Sequence, residues 1–283
     1  MNAKPAGVGM SAKPAGVGMN AKPAGVGMNA KPAGVGMKFA PALFGLLALA
    51  LWEAAVRIGD VPVYQLPGPI AIIGAFVADP VGLLQALAST LFVTFAALLA
   101  AAVLSLAMAL AMSASRLAQA AIQPWAVALQ VTPLPAIAPL IIIWVGQPFV
   151  ALVVCATIVA FFPLFANTAT GLASAPPELN DLFRLYGASR WRTMALLRLP
   201  AALPYFLAGL RISGGLALVG AVVAELVAGS GGFASGLAYR ILEASFRLEM
   251  PRMFAALVLL ALAGILLNFG LGALGQLILR RRT

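Results

Sequence analysis

Residues 178–200 read ELNDLFRLYGASRWRTMALLRLP. Arg184, Arg190, Arg192 and Arg198, with Phe183, Tyr186 and Trp191, are crowded here between two long runs of Ala, Leu, Val and Gly. The runs set the solvent. With 63% apolar and only 9% charged residues and a mean hydropathy of +1.02, the chain lies outside the balance of soluble domains. Backbone groups facing lipid have no water to bond, so they must be satisfied within helices or a closed barrel. The alternating short strands of a barrel are absent. The expected fold is therefore all-α, a polytopic membrane protein with a polar, aromatic loop set between two spans.

A span takes about 20 mostly apolar residues. Six candidates meet that length, at about 39–58, 87–112, 118–146, 149–172, 200–228 and 252–279. The third holds QVTPLPAIAPLIIIWVG, where Pro133, Pro135 and Pro139 remove N–H donors and must break the helix. Irregular backbone at membrane depth survives only against protein or an aqueous cavity, so this stretch is either a wall of a translocation path or a packed kink. With six spans and both termini cytoplasmic, fourteen of the 18 Lys and Arg fall on the cytoplasmic side, Arg211 counted among them. Arg57, Arg240, Arg247 and Arg252 fall on the other, which obeys the positive-inside rule. The opening loop then faces the cytoplasm. Segments 60–86 and 229–251 lie on the outer side, as lids, docking surfaces or interfacial helices.

Residues 1–37 form a separate region, a low-complexity tail of four nonapeptides of the type NAKPAGVGM. Pro and two Gly per unit disfavour helix, so the tail is expected to be disordered. Its lysines are spaced too widely for strong lipid binding. Met37 reads as the ancestral start, so deleting residues 1–36 should leave insertion and activity intact. Residues 38–283 form the transmembrane domain, and its first apolar run resembles an uncleaved signal anchor more than a signal peptide.

Several chemistries are excluded. No GxxxxGK[ST] is present, so the chain has no phosphate-cradling loop of that kind. Without His and with Cys155 alone, His-ligated metals, thiolate clusters, Ser/His/Asp catalysis and an internal disulfide are ruled out. Cys155 reads as a buried packing residue. GLGALG at 270–275 lies in an apolar run without a preceding strand, so it reads as small residues for close helix packing. No enzyme, bound cofactor or nucleic-acid partner is expected.

Polar residues inside the spans are the candidates for a path or gate. Glu225 is an ionisable group near the end of a span, where such groups line a path, hold a gate or reach the interface. Gln130, Thr132, Asn167 and Asn268 are milder, suited to bonds between helices or to solute contact. With Pro135 in the broken third span, Gln130, Thr132, Asn167 and Glu225 make up the candidate set.

In the loop, about residues 174–199, Pro176 and Pro177 suit a helix start, with Ser174 as a possible cap and Glu178 and Asp181 near the positive end of the dipole. The helix should end at Gly187. Ser189 can cap a second short helix running to Leu199, with Pro200 and Pro204 opening the fifth span. Leu182, Phe183, Tyr186 and Trp191 would be exposed among arginines, the composition of a protein interface.

This loop resembles the cytoplasmic signature of ABC importer permeases: EAA, three residues, Gly, nine residues, then I-x-LP. Gly187 matches the glycine, and after residues 188–196 come Leu197, Arg198, Leu199 and Pro200. Asp181, Leu182 and Phe183 stand where the signature has EAA. The flanks LPGPIAI, STLFVTFAALLA, TPLPAIAPLIIIWVGQ, FFPLFANTATGL, LPAALPYFLAGLRISGGLALVGAVVAEL and GSGGFASGL are similar to the branch of nitrate, sulfonate, taurine and thiamine-precursor (hydroxymethylpyrimidine) permeases. The resemblance implies a permease subunit of the bacterial inner membrane, paired with a second permease copy. Two separate ATPase subunits would hold ATP and Mg, and an extracytoplasmic solute-binding protein would deliver a small solute. It also implies that the loop couples to the ATPase, through Asp181, Phe183 and Gly187, with Arg184 and Arg190 facing acidic groups. The rival expectation is a self-sufficient secondary carrier or channel, which would leave the loop unexplained.

Overall fold

The computed structural model describes residues 35–229 and 235–280; the nonapeptide tail lies outside the described residues. Within them are eleven α-helices and no strand: α1 Val35–Ile58, α2 Pro69–Ala78, α3 Pro80–Ala114, α4 Arg116–Val131, α5 Leu134–Val145, α6 Pro148–Ala173, α7 Pro177–Leu185, α8 Arg190–Thr193, α9 Leu199–Ala228, α10 Leu237–Phe246 and α11 Met250–Arg280. A π-helical turn, Met194–Arg198, joins α8 to α9. The described residues fold as helices joined by short turns, without a strand, as the composition requires.

Among the described residues four stretches are long and apolar enough to cross a membrane: Pro80–Ala114, Pro148–Ala173, Arg190–Ala228 and Met250–Arg280. The helices α4 and α5 pass the same test only together, bent by 106° at their junction. Pro133 is the residue before α5, and Leu134 and Pro135 open its first turn, so the proline run ends one helix and starts another as anticipated. Gly146 then closes α5 in the left-handed region (φ 67). The helix α1 is continuous over the expected first span.

Helix α3 begins seven residues before the expected 87 because Pro80 starts the helix. Its ring pre-sets φ and the missing N–H is an orphan at that position anyway. Asp79 supplies the cap, accepting from the Gly82 N–H at 2.9 Å. Pro69 opens α2 and Pro148 opens α6 in the same way.

The core is built on small residues. The pair α6 and α9 makes the most extensive contact in the fold. A Cβ placed on Gly220 would lie 2.9 Å from the Ala156 Cα, and one on Gly171 would lie 2.9 Å from the Ala202 Cα. Close approach of this kind is how helices associate where lipid removes the hydrophobic drive. Buried hydroxyls reinforce it. Ser213 donates to the Ala160 carbonyl at 2.7 Å, and Thr157 lies 3.4 Å from the Ala97 carbonyl. Cys155 is fully buried in this core, with Val93, Ala97, Ala156, Ala221 and Ala224.

At one end of the bundle α2 and α10 are packed in, around Ile72, Leu83, Ala86, Leu237, Ala255 and Ala256. Arg252 of α11 pairs with Asp79 at the start of α3 at 2.7 Å. Within the segments expected as outer lids, docking surfaces or interfacial helices, α2 and α10 are thus packed against the bundle end. Within GLGALG, in α11, Gly272 faces the Arg211 guanidinium and Gly275 faces the Leu207 Cβ, so these glycines serve helix packing.

Candidate functional site

The polar loop forms an exposed helical hairpin. Helix α7 is capped by backbone: Gly187 N–H donates to the Arg184 carbonyl at 3.0 Å and Ala188 N–H to the Phe183 carbonyl at 2.9 Å. This double bond pattern at a C-terminus requires a left-handed residue, and Gly187 supplies it with φ 65. Ser189 caps α8 by accepting from Arg192 N–H at 3.3 Å. Ser174 does not cap α7. It donates to the Gly171 carbonyl at 2.8 Å, closing α6, and Pro176 occupies the cap position without a side-chain bond.

The second loop helix runs on into α9 through the π-helical turn, with no break at Pro200. A proline ring clashes with the carbonyl four residues back. Here the ladder widens just before it, with Leu199 N–H donating to the Met194 carbonyl. Residues Arg190–Ala228 form one 39-residue helical rod, so the loop is rigidly connected to a span.

Leu182, Leu185, Tyr186 and Trp191 are exposed, Tyr186 at 83% and Trp191 at 75%; Phe183 is half-buried. Asp181 and Arg184 sit 3.9 Å apart, both largely exposed. Arg190 is exposed and makes no ion pair among the described residues. Asp181, Phe183, Arg184, Gly187 and Arg190 thus lie together on one hairpin, an apolar and basic surface at the end of a membrane rod.

The five path candidates fall in three places. Gln130, Thr132 and Pro135 sit at the α4–α5 bend, Gln130 and Pro135 exposed and Thr132 donating to the Ala128 carbonyl at 2.7 Å. Asn167 is half-buried in the α6–α9 seam, where a Cβ on Gly209 would touch its Cβ, and its side-chain amide donates to the Pro163 carbonyl at 2.7 Å. Asn167 thus packs in this seam, half-exposed.

Glu225 is almost fully buried at the far end of α9. Its Oε2 accepts from Thr90 Oγ1 at 3.1 Å and from Ala238 N–H at 3.1 Å, while Leu237 N–H donates to Thr90 Oγ1 at 2.9 Å. Two side chains from two spans thereby satisfy the first N–H groups of α10, which a helix start otherwise leaves without partners. A Cβ at Gly236 would collide with both carboxylate oxygens, so any other residue there must displace the Glu225 carboxylate. Thr90 was not singled out from the sequence, since a lone Thr in an apolar helix carries no local sign of a partner 135 residues away.

One polar pair was missed. Arg211 of α9 donates from Nε at 3.1 Å and from Nη2 at 2.8 Å to Oδ1 of Asn268 in α11. Among the described residues no group of His, Cys, Asp and Glu could hold a metal ion.

Comparison with known proteins assigns the class. Residues 101–283 match the family described as binding-protein-dependent transport system inner membrane component. The chain is 34% identical over 223 residues, 79% of its length and 89% of the relative's, to a probable ABC transporter permease protein of Haemophilus influenzae. It is 33% identical to the formylaminopyrimidine transport permease protein ThiX of Halalkalibacterium halodurans, over 79% of this chain and 88% of that one. It is 34% identical to the riboflavin transport system permease protein RibX of Chloroflexus aurantiacus, over 83% and 87%. A crystal structure of an amino acid ABC transporter with histidines shares the fold at TM-score 0.55 and 20% identity, over 70% of this chain and 93% of that chain.

The chain belongs to the binding-protein-dependent transport system inner membrane component family. It is a multi-pass, non-catalytic permease subunit, of a family that works with ATPase and solute-binding partners.

Proposed function

We propose that this chain is the permease half of an ATP-driven importer in the bacterial inner membrane, with six spans, both termini cytoplasmic and two copies enclosing the path. The α7–α8 hairpin seats in a groove of the ATPase subunit and transmits nucleotide-driven closure to the spans. ATP and Mg reside on that ATPase, and this chain binds no cofactor of its own. Relatives are named for formylaminopyrimidine, riboflavin and aliphatic sulfonates, so the cargo is a small organic solute of that range.

The observation that carries this reading is the hairpin itself. Its apolar and aromatic side chains are exposed at the end of the continuous rod Arg190–Ala228. A rigid lever bearing an aromatic, arginine-rich tip suits docking to a protein whose movement must reach the membrane. Asp181, Phe183, Arg184 and Arg190 make the contact and Gly187 sets its angle. The α4–α5 bend, with Gln130, Thr132 and Pro135, contributes to the wall of the path. Glu225 holds the outer gate through α10.

Replacing Gly187 by Val tests the coupling. A β-branched residue is strained at φ 65, so the hairpin angle changes. Solute-stimulated ATP hydrolysis should fall at least tenfold in the assembled transporter while the chain still inserts. Unchanged stimulation would remove the coupling role, and transport by the chain without any ATPase would favour a secondary carrier.

A further inference from the structure

The pair Arg211–Asn268 carries an inference about the cargo. Arg211 lies twelve residues after the start of α9, a helix of 30 residues, and Asn268 lies twelve before the end of α11, a helix of 31. At about 1.5 Å per residue both stand about 18 Å from the α7 end of helices about 45 Å long. A hydrocarbon core of about 30 Å centred on such helices leaves about 8 Å at each end. With the core so placed, the guanidinium lies about 10 Å inside it. It cannot reach a headgroup by extending, because two hydrogen bonds fix it to Asn268 and it rests on Gly272.

Asn268 accepts without neutralising. Glu225 and Glu249, the acids of α9 and of the approach to α11, lie toward the opposite end of the bundle. Of the five N–H donors of an arginine, the two given to Asn268 leave three without a partner among the described residues. Arg211 is nonetheless exposed on the surface of the chain. A charge at this depth is tolerated facing a water-filled cavity or another protein, not lipid. Beside it a groove of about 630 Å³ opens between α9 and α11, lined by glycines and apolar side chains such as Leu218, Val219, Ile265 and Phe269, with Asn268 as its one polar side chain.

We propose that this face borders the translocation path and that Arg211, oriented by Asn268, is an anion-binding point in it, so that the solute carries a carboxylate, sulfonate or phosphate-type group. The guanidinium fork offers its free N–H groups to two oxygens of such an anion, and the weak attraction of a neutral Asn leaves it available. This rests on the permease reading and narrows its cargo.

The test places a thiol one turn from Arg211. Gly215 faces open space, so a Cβ meets nothing within 4 Å, and Gly215→Cys in a Cys155→Ala background is sterically free. Membranes containing the chain with its ATPase are treated with anionic 2-sulfonatoethyl or cationic 2-(trimethylammonio)ethyl methanethiosulfonate, both impermeant. The expected result is labelling by water-borne reagent, with the anionic one favoured about fivefold relative to a free thiol, as a unit charge one turn away gives. Arg211→Lys should keep the preference and Arg211→Gln should abolish it. Val219→Cys on the same face supplies a second site if Gly215→Cys is not retained in membranes. Labelling only by lipid-soluble N-ethylmaleimide would overturn the proposal by making the face lipid-bound, and labelling by none of the three reagents would overturn it by making the face a packed interface. Labelling without anion preference would overturn the binding point. None of these outcomes bears on whether an ATPase drives the chain, which cross-linking from Tyr186 reads separately.

Discussion

The hydroxyl of Thr90 in α3 and the carboxylate of Glu225 in α9 lie 3.1 Å apart where α10 begins, and together they accept the N–H groups of Leu237 and Ala238. The pair fastens a short helix across the ends of two spans. Removing either side chain leaves buried backbone donors without acceptors, at about 1–3 kcal/mol each. Both bonds to Glu225 end on Oε2, so the amide oxygen of a glutamine suffices. Glu225→Gln should therefore keep most of the melting temperature in detergent and Glu225→Ala should lose several degrees. Equal melting of the two would show that the bonds do not hold α10.

Gly236→Ala should match Glu225→Ala in thermal stability, because the added methyl displaces the carboxylate. A buried group held by two donors does not yield as a free side chain would. Wild-type stability in this variant would mean that the carboxylate has room to move.

In the α6–α9 seam, Gly220→Val forces branched carbon against the Ala156 Cα, where even a single Cβ would sit at 2.9 Å. Overpacking of this kind costs about 1–3 kcal/mol or more. Gly215→Ala on the same helix meets open space and should be neutral. Comparing yields of folded, monodisperse protein separates packing from helix propensity.

Asp79 both caps α3 and pairs with Arg252. Asp79→Ala should cost about 1–2 kcal/mol through the cap together with the partly exposed pair, and Arg252→Ala less, about 1 kcal/mol or below. Equal denaturation midpoints would assign the stability to the pair alone, and the opposite order would assign it to Arg252's further pair with Glu249 at 3.5 Å.

The helical class and the α4–α5 break were legible because each is a local rule, apolar run length in one case and missing proline donors in the other. The same local view started the second span at 87, seven residues after Pro80 opens α3, and misread Ser174, which bonds backward to Gly171. Gly187 was legible because its turn demands φ above zero. The Glu225–Thr90 clasp was half visible. A buried acid stands out in an apolar run, but its partner lies 135 residues away and nothing near Thr90 points to it. Arg211 was counted with the cytoplasmic loop, and nothing local announced its bonds to Asn268, 57 residues on.

The central claim is that a separate ATPase moves this chain through the α7–α8 hairpin. The most direct test replaces Tyr186, 83% exposed, by a photo-crosslinking phenylalanine analogue in cells that also make the ATPase subunit. The same substitution at Leu248, exposed near the start of α11 at the other end of the bundle, is the control. The account predicts an adduct with the ATPase from position 186 and none from 248. Adducts from 186 with lipid or other chains, and none with the ATPase, would contradict it.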